Sequence, residues 1–237
     1  MYQFTIQTSQ SMLIEKTPRS DGKFYGHECL KHHTIAFYHD NYFGGGRWRQ
    51  QGTIENMICT LKNDITPYPE DVLAGAFNQL SNVLEQDLQQ VINHLHLYHK
   101  LIVCVVPRAK REEHYAPNQR LFRQAVQEVI RRWSNIEDGS HYILRHTDTV
   151  TTHLTHHTLL PAGHTPRVYC GITKETCSIS ANVQDGDILL IDDLYTKGVG
   201  IDEDCIQALY DNGANSVILY TIGRTVKPYQ QPATLVS

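Results

Sequence analysis

Apolar positions along the chain change their rhythm near residue 67. Up to residue 66 there are only short β-like runs, such as His33 to Tyr38, interrupted by Gly44, Gly45 and Gly46, and this part reads as irregular. From Pro69 onward, Val72, Leu73, Ala76, Phe77, Leu80, Val83, Leu84, Leu88, Val91, Ile92 and Leu95 follow a helical period with one broad apolar face. Pro69 suits a first helical turn, and Glu70 and Asp71 suit its positive end. Leu101 to Val106 (LIVCVV) is a continuous, β-branched apolar run, as expected of a strand buried on both faces and closed by Pro107. A second amphipathic helix is predicted over Asn118 to Trp133, and a short strand over His141 to Arg145. His146 to Thr165 is polar, rich in His and Thr and without period, which predicts a long loop or hood. Strands are then predicted at Arg167 to Ile172, Ile188 to Ile191 and Val217 to Thr221, with a helix from Gly198 to Asn212 closed by Gly213.

Alternation of strands and helices after Leu101 implies an α/β fold with a parallel, Rossmann-like sheet and right-handed crossovers. The reading divides the chain into residues 1–66, a small irregular N-terminal or hood region, and residues 67–237, the α/β domain. Ligands of such sheets bind beyond the carboxyl ends of the strands. Pro107 to Arg111 and the acids Asp192 and Asp193 both lie at such ends.

The segment ILLIDDLYTKGVG, Ile188 to Gly200, concentrates the chemistry. An apolar strand delivers two neighbouring carboxylates, followed by Thr196, Lys197, Gly198, Val199 and Gly200 and then a helix. Glycines let backbone N–H groups approach an anion, and the helix start adds free donors. Thr196 offers a hydroxyl and Lys197 a charge, which completes a cradle for a phosphate monoester. Paired carboxylates suit a sugar diol and favour Mg²⁺, a hard cation that takes oxygen ligands. The plainer alternative is an ordinary strand, turn and helix with the acids as solvated caps. In Pro107, Arg108, Ala109, Lys110 and Arg111, three cations follow a buried strand, where a dense anion could be met. A solubilising basic turn is the alternative there.

The run ILLIDDLYTKGVG resembles the PRPP-binding motif of type I phosphoribosyltransferases, and the chain is most similar to their ComF and amidophosphoribosyltransferase-like branch. Val183 to Asp187 (VQDGD) and Val105 to Arg111 (VVPRAKR) fit that branch, as does the order of Ile58 to Lys62 (ICTLK) before a long helix. The resemblance implies that Asp192 and Asp193 hold the ribose hydroxyls of PRPP and, through it, Mg²⁺. It implies that Thr196 to Gly200 hold the 5′-phosphate and that Pro107 to Arg111 form the pyrophosphate loop. The expected activity is transfer of ribose 5-phosphate from PRPP to a nitrogenous acceptor, a base or an amine. A non-catalytic module that senses PRPP or a nucleotide, in DNA uptake or defence, is the second reading. Lys197 replaces the family's usual small or hydroxyl residue, Gly200 replaces a Ser or Thr, and the zinc-binding CxxC pairs of many ComF proteins are missing.

Composition adds limits. A formal net charge of −4 over 237 residues gives no global pull toward nucleic acid or anionic membrane, although Arg108 to Arg132 carries seven Lys or Arg against three Glu. No apolar run is long enough to span a bilayer, and the N-terminus lacks a signal-peptide pattern, so a cytoplasmic protein is expected. Six scattered cysteines without a CxxC pair fit reduced thiols. His27, Cys29, His32 and His33 could ligate zinc, but their spacing matches no strong zinc signature. His146, His153, His156, His157 and His164 are candidates for acid–base work or simply a polar loop. Asn41 to Gln50 (NYFGGGRWRQ) could stack a base or form a surface hairpin. Oligomeric state is left open, a homo-oligomer included.

Overall fold

The computed structural model describes residues 1–8, 12–14, 26–28, 30–65, 67–96, 100–149, 172, 174, 176–226 and 234–235. Strands β1 (Tyr2–Ile6), β2 (Met12–Ile14), β3 (Gly26–Glu28) and β4 (Thr34–Tyr42) precede helices α1 (Ile54–Lys62) and α2 (Glu70–His94). Then follow β5 (Leu101–Val105), α3 (Leu121–Ile130), β6 (Ile136–Gly139), β7 (Ile143–Arg145) and β8 (Cys177–Ile179). The chain continues through β9 (Asp187–Tyr195), α4 (Ile201–Asp211), β10 (Ser216–Thr225) and β11 (Thr234–Leu235). No helix among the described residues is long and apolar enough to cross a membrane.

The central sheet has the order β11-β1-β4-β10-β9-β5-β6. From β4 to β6 every pairing is parallel, and β1 is antiparallel to both β4 and β11. This is an α/β fold with a mostly parallel sheet. Its central strands β5, β9 and β10 are buried on both faces over most of their length, which is why they read as apolar runs. Val103, Val105, Leu189, Ile191, Tyr220 and Ile222 pack on the side of α1, α2 and α3. Ile102, Cys104, Ile188, Leu190 and Leu219 pack on the side of α4, against Cys205, Ile206 and Leu209.

After β5 the chain crosses through α3 to β6; after β6 it returns to β9, on the other side of β5. That reversal makes a topological switch point between β5 and β9, whose carboxyl ends are the usual ligand position in open α/β sheets. The N–H of Val106 still donates to Ile191 O at 3.0 Å, so the loop after β5 starts flush against β9.

Three sequence expectations change. Residues 1–66 are not a separate irregular region: β1 and β4 extend the central sheet, and Met57, Ile58 and Leu61 of α1 belong to its core. Polar residues at the exposed end of β4 hide its strand period. Asn118 to Trp133 forms a 3₁₀ turn at Pro117–Gln119 followed by the shorter α3. Strand β9 runs past Ile191 to Tyr195, so both acids are strand residues. Arg167 to Gly171 and the loop at 150–165 lie outside the described residues.

Helix α2 has Leu80, Leu84 and Leu88 fully buried, one per turn, on the face turned to the sheet. Leu84→Ala should destabilise the protein by about 2–5 kcal/mol, read as a lower urea midpoint at unchanged slope.

Candidate functional site

Adjacent residues of a strand point to opposite faces of the sheet. Asp193 continues the Leu189, Ile191 row and faces α1, where its Oδ2 lies 2.9 Å from Lys62 Nζ. Asp192 continues the Leu190 row and faces α4, where it hydrogen-bonds Asp202; its Oδ1 accepts the Asp193 N–H at 2.8 Å. The two carboxylates therefore lie at one strand end without forming a joint chelate.

The electrostatics follow from these neighbours. Burial, reinforced by the Asp193 charge, pushes the Asp192 carboxyl up to about 7. Burial and then the Asp192 charge push Asp202 well above the usual carboxylate range. Both shifts favour protonation within the Asp192–Asp202 pair over full ionisation. Burial works to lower the Lys62 pKa, but the carboxylates of Asp193 and Asp192 outweigh it, and the net shift is upward. The ammonium stays charged. Beside it the Tyr42 hydroxyl hydrogen-bonds the Cys59 thiol; burial raises both groups, so Cys59 is no activated nucleophile.

The loop after β9 leaves its donors open. Gly198 and Gly200 adopt φ values of 83° and 81°, a left-handed conformation that favours glycine. The Val199 N–H closes a turn on Thr196 O at 3.1 Å. Among the described residues, the N–H groups of Lys197, Gly198, Gly200 and Ile201 have no protein acceptor, and the exposed Lys197 ammonium has no partner. The Thr196 hydroxyl meets that of Thr225 on β10 at 2.7 Å. Helix α4 carries Asp202, Glu203 and Asp204 in its first turn, which would repel an anion if they faced the loop. They do not: Asp202 turns to Asp192, Glu203 accepts the Tyr195 hydroxyl at 2.9 Å, and Asp204 accepts the Ile172 N–H at 2.8 Å. Open amides at a helix start suit one oxyanion.

The loop after β5 lies alongside, with its cations partly committed. Arg108 donates to Gln119 O at 2.7 Å and Lys62 O at 3.3 Å, pairs with Asp64 and stacks over Tyr115. Arg111 pairs with Asp148 and Glu113. Lys110 is exposed, with its backbone N–H on the Tyr115 hydroxyl; Ala109 O accepts the Thr149 N–H, and Pro107 is buried. A cavity of about 250 Å³ opens on the β6 side of this loop, lined by Arg108, Lys110, Tyr115, Arg120, Arg123 and Arg145 among others.

The other sequence candidates stand apart. His33 accepts the Thr8 N–H, and His32 lies against Tyr210; Cys29 and the His27 side chain lie outside the description. His146 is exposed beside Thr147, and His153, His156, His157 and His164 also lie outside it. In the 41–50 tract, Arg47 lies over Phe43 and Arg49 over Trp48, and the buried Glu55 anchors the turn through the Phe43 N–H and Arg47. Sequence reasoning missed Lys62 and Asp202. The signal for Asp202 was weak but present, as three acids at the start of a helix whose apolar face is buried.

As a protein-held divalent-cation site the arrangement does not fit: the acids diverge, and Lys62 already sits on Asp193. The chain matches no protein-family model and no curated protein.

Raised carboxyl pKa values mean that the folded chain holds protons that the unfolded chain has released. The stability contributed by Asp192 and Asp202 is therefore fully present below the ordinary carboxylate value of 3.8 and is lost as pH rises, for Asp192 through about 7. Urea unfolding between these pH values should show wild-type stability falling, and Asp202→Asn should flatten that fall. An unchanged slope in the variant would contradict protonation of the pair.

Proposed function

We propose that the protein is a phosphoribosyltransferase, which transfers ribose 5-phosphate from PRPP to a nitrogenous acceptor. The observation that carries this reading is the open amide nest at Lys197 to Ile201, placed directly after two acids at the switch-point end of β9. An oxyanion nest next to hydroxyl-accepting carboxylates, beyond the carboxyl ends of a parallel sheet, suits a sugar phosphate.

In this reading the nest binds the 5′-phosphate, with Lys197 supplying the countercharge. Asp193 and Asp192 accept hydrogen bonds from the ribose hydroxyls and fix the ring. The acceptor nitrogen bonds to C1 as the bond from C1 to the pyrophosphate oxygen breaks. The pyrophosphate leaves with the electron pair, and the nitrogen gives up a proton. Positive charge develops on the ring in such displacements, and the nearby carboxylates stabilise it. Lys110 and the remaining donors of Arg108 and Arg111 are the protein's groups for the leaving pyrophosphate. Magnesium belongs to this proposal as a companion of the pyrophosphate, whose charge it neutralises, rather than as an ion held by the acids.

A second reading, a sensor that binds PRPP or a nucleotide without turnover, is favoured by one observation. Arg108 is committed to Lys62, Gln119 and Asp64, which leaves the leaving-group loop short of free cations.

Incubation with PRPP, Mg²⁺ and a panel of bases and amines should release pyrophosphate. Asp193→Asn should lower kcat/KM for PRPP by about a hundredfold, since misplacement of the ribose costs that much in rate. Gly200→Val, forced into a left-handed backbone, should weaken PRPP binding as well as turnover. Tight binding without pyrophosphate release selects the sensor, and absence of binding rejects both readings.

A further inference from the structure

We infer that Lys62 is the resident cation of the site: its ammonium stands at Asp193 in the place a divalent cation would take. The free protein then holds no divalent cation at this carboxylate, and an incoming polyanion meets Asp193 already neutralised. The identity of that polyanion rests on the phosphoribosyl reading; the ion pair does not.

Three features carry the assignment. The first is geometry. Lys62 Nζ lies 2.9 Å from Asp193 Oδ2, and the two side chains are only 22% and 16% exposed. A pair so shielded is screened by salt far less than a surface pair.

The second is how firmly the lysine is held. Lys62 is the last residue of α1, where the helix dipole favours a cation. The chain leaves the helix through Asn63 in the left-handed conformation, at φ 47°. Both carbonyls at this corner are gripped from the loop after β5: Lys62 O by Arg108 at 3.3 Å and Asn63 O by Gln119 Nε2 at 3.0 Å. Asn63 Oδ1 also accepts the Tyr68 N–H at 2.9 Å. The ammonium is thus delivered from a clamped corner.

The third is charge balance. Asp192, Asp193, Asp202 and Glu203 gather around the end of β9; Asp192 and Asp202 face each other and Glu203 takes the Tyr195 hydroxyl, which leaves Asp193 as the carboxylate paired with a cation. A ligand carrying several negative charges would be repelled by Asp193 unless a cation stood there. A single point charge on a flexible stem also lets hydroxyl groups share the carboxylate, which a bidentate guanidinium would block. Since Arg108 grips the Lys62 carbonyl, a ligand that draws Arg108 away loosens the same corner, which links the two loops through Lys62.

The test uses the full chain and Mn²⁺ alone, with no sugar phosphate present. By isothermal titration at constant ionic strength, wild type should show no saturable Mn²⁺ site at Asp193. Lys62→Met should gain one, binding at least tenfold tighter than anything in wild type, and the double variant Lys62→Met, Asp193→Asn should lose it again. Equal Mn²⁺ binding by wild type and Lys62→Met, no gain in a folded Lys62→Met, or a gained site that survives in the double variant would each overturn the assignment. If Lys62→Met does not fold, wild type alone decides: Mn²⁺ must leave the amide signals of Asp193 and Leu194 unbroadened, and selective broadening there refutes the inference. Because no PRPP is added, failure of the phosphoribosyl reading does not alter these outcomes.

Discussion

The two-residue period of β9 is the constraint from which the site follows. The strand is buried on both faces between β5 and β10, so its apolar residues lock its register against two neighbours and two helix layers. Once Leu189, Leu190 and Ile191 are placed, Asp192 and Asp193 have no choice of face. One acid is sent to α4 and faces Asp202; the other is sent to α1 and meets Lys62. The strand then ends in a loop where Gly198 and Gly200 take a left-handed backbone and the amides of Lys197, Gly198, Gly200 and Ile201 are left without an acceptor among the described residues.

This arrangement solves an electrostatic problem. Four carboxyls near one strand end would oppose both folding and an anionic ligand if all were charged and exposed. The structure deals with each differently. Burial and mutual repulsion favour protonation of Asp192 and Asp202, Glu203 takes the Tyr195 hydroxyl, and Asp193 takes an ammonium. What remains for a ligand is the amide nest and the exposed Lys197, which together favour an oxyanion over a cation at the loop.

Much of this was legible in the sequence, for physical reasons. Strands buried on both faces must be apolar throughout, so LIVCVV and ILLI announce themselves. The long α2 shows its period across Leu80, Leu84 and Leu88. Gly198 and Gly200 mark a backbone that other residues resist. The first half of β4 reads as the β-like run His33 to Tyr38, but its far end was hidden because His39 to Asn41 interrupt the apolar pattern, and β1 because its place was fixed only by pairing with β4. The partners of the acids were hidden for another reason. Lys62 and Asp193 are far apart along the chain, and only the packing of α1 on the sheet, over β10 beside β9, brings them together. Likewise, Arg108 reads as a free cation, yet its two terminal nitrogens are committed to Lys62, Gln119 and Asp64, groups that nothing in the local sequence connects to it.

The central claim is that the bend after β9 receives a sugar phosphate through its backbone. Backbone amide resonances followed while ribose 5-phosphate is titrated into the protein test it without any assumption about turnover. The account predicts large, saturable shifts confined first to Lys197, Gly198, Gly200 and Ile201, with smaller ones at Asp192 and Asp193. Shifts that leave these amides unmoved, whether absent altogether or confined to the Arg120 and Arg123 side of the neighbouring loop, would contradict it.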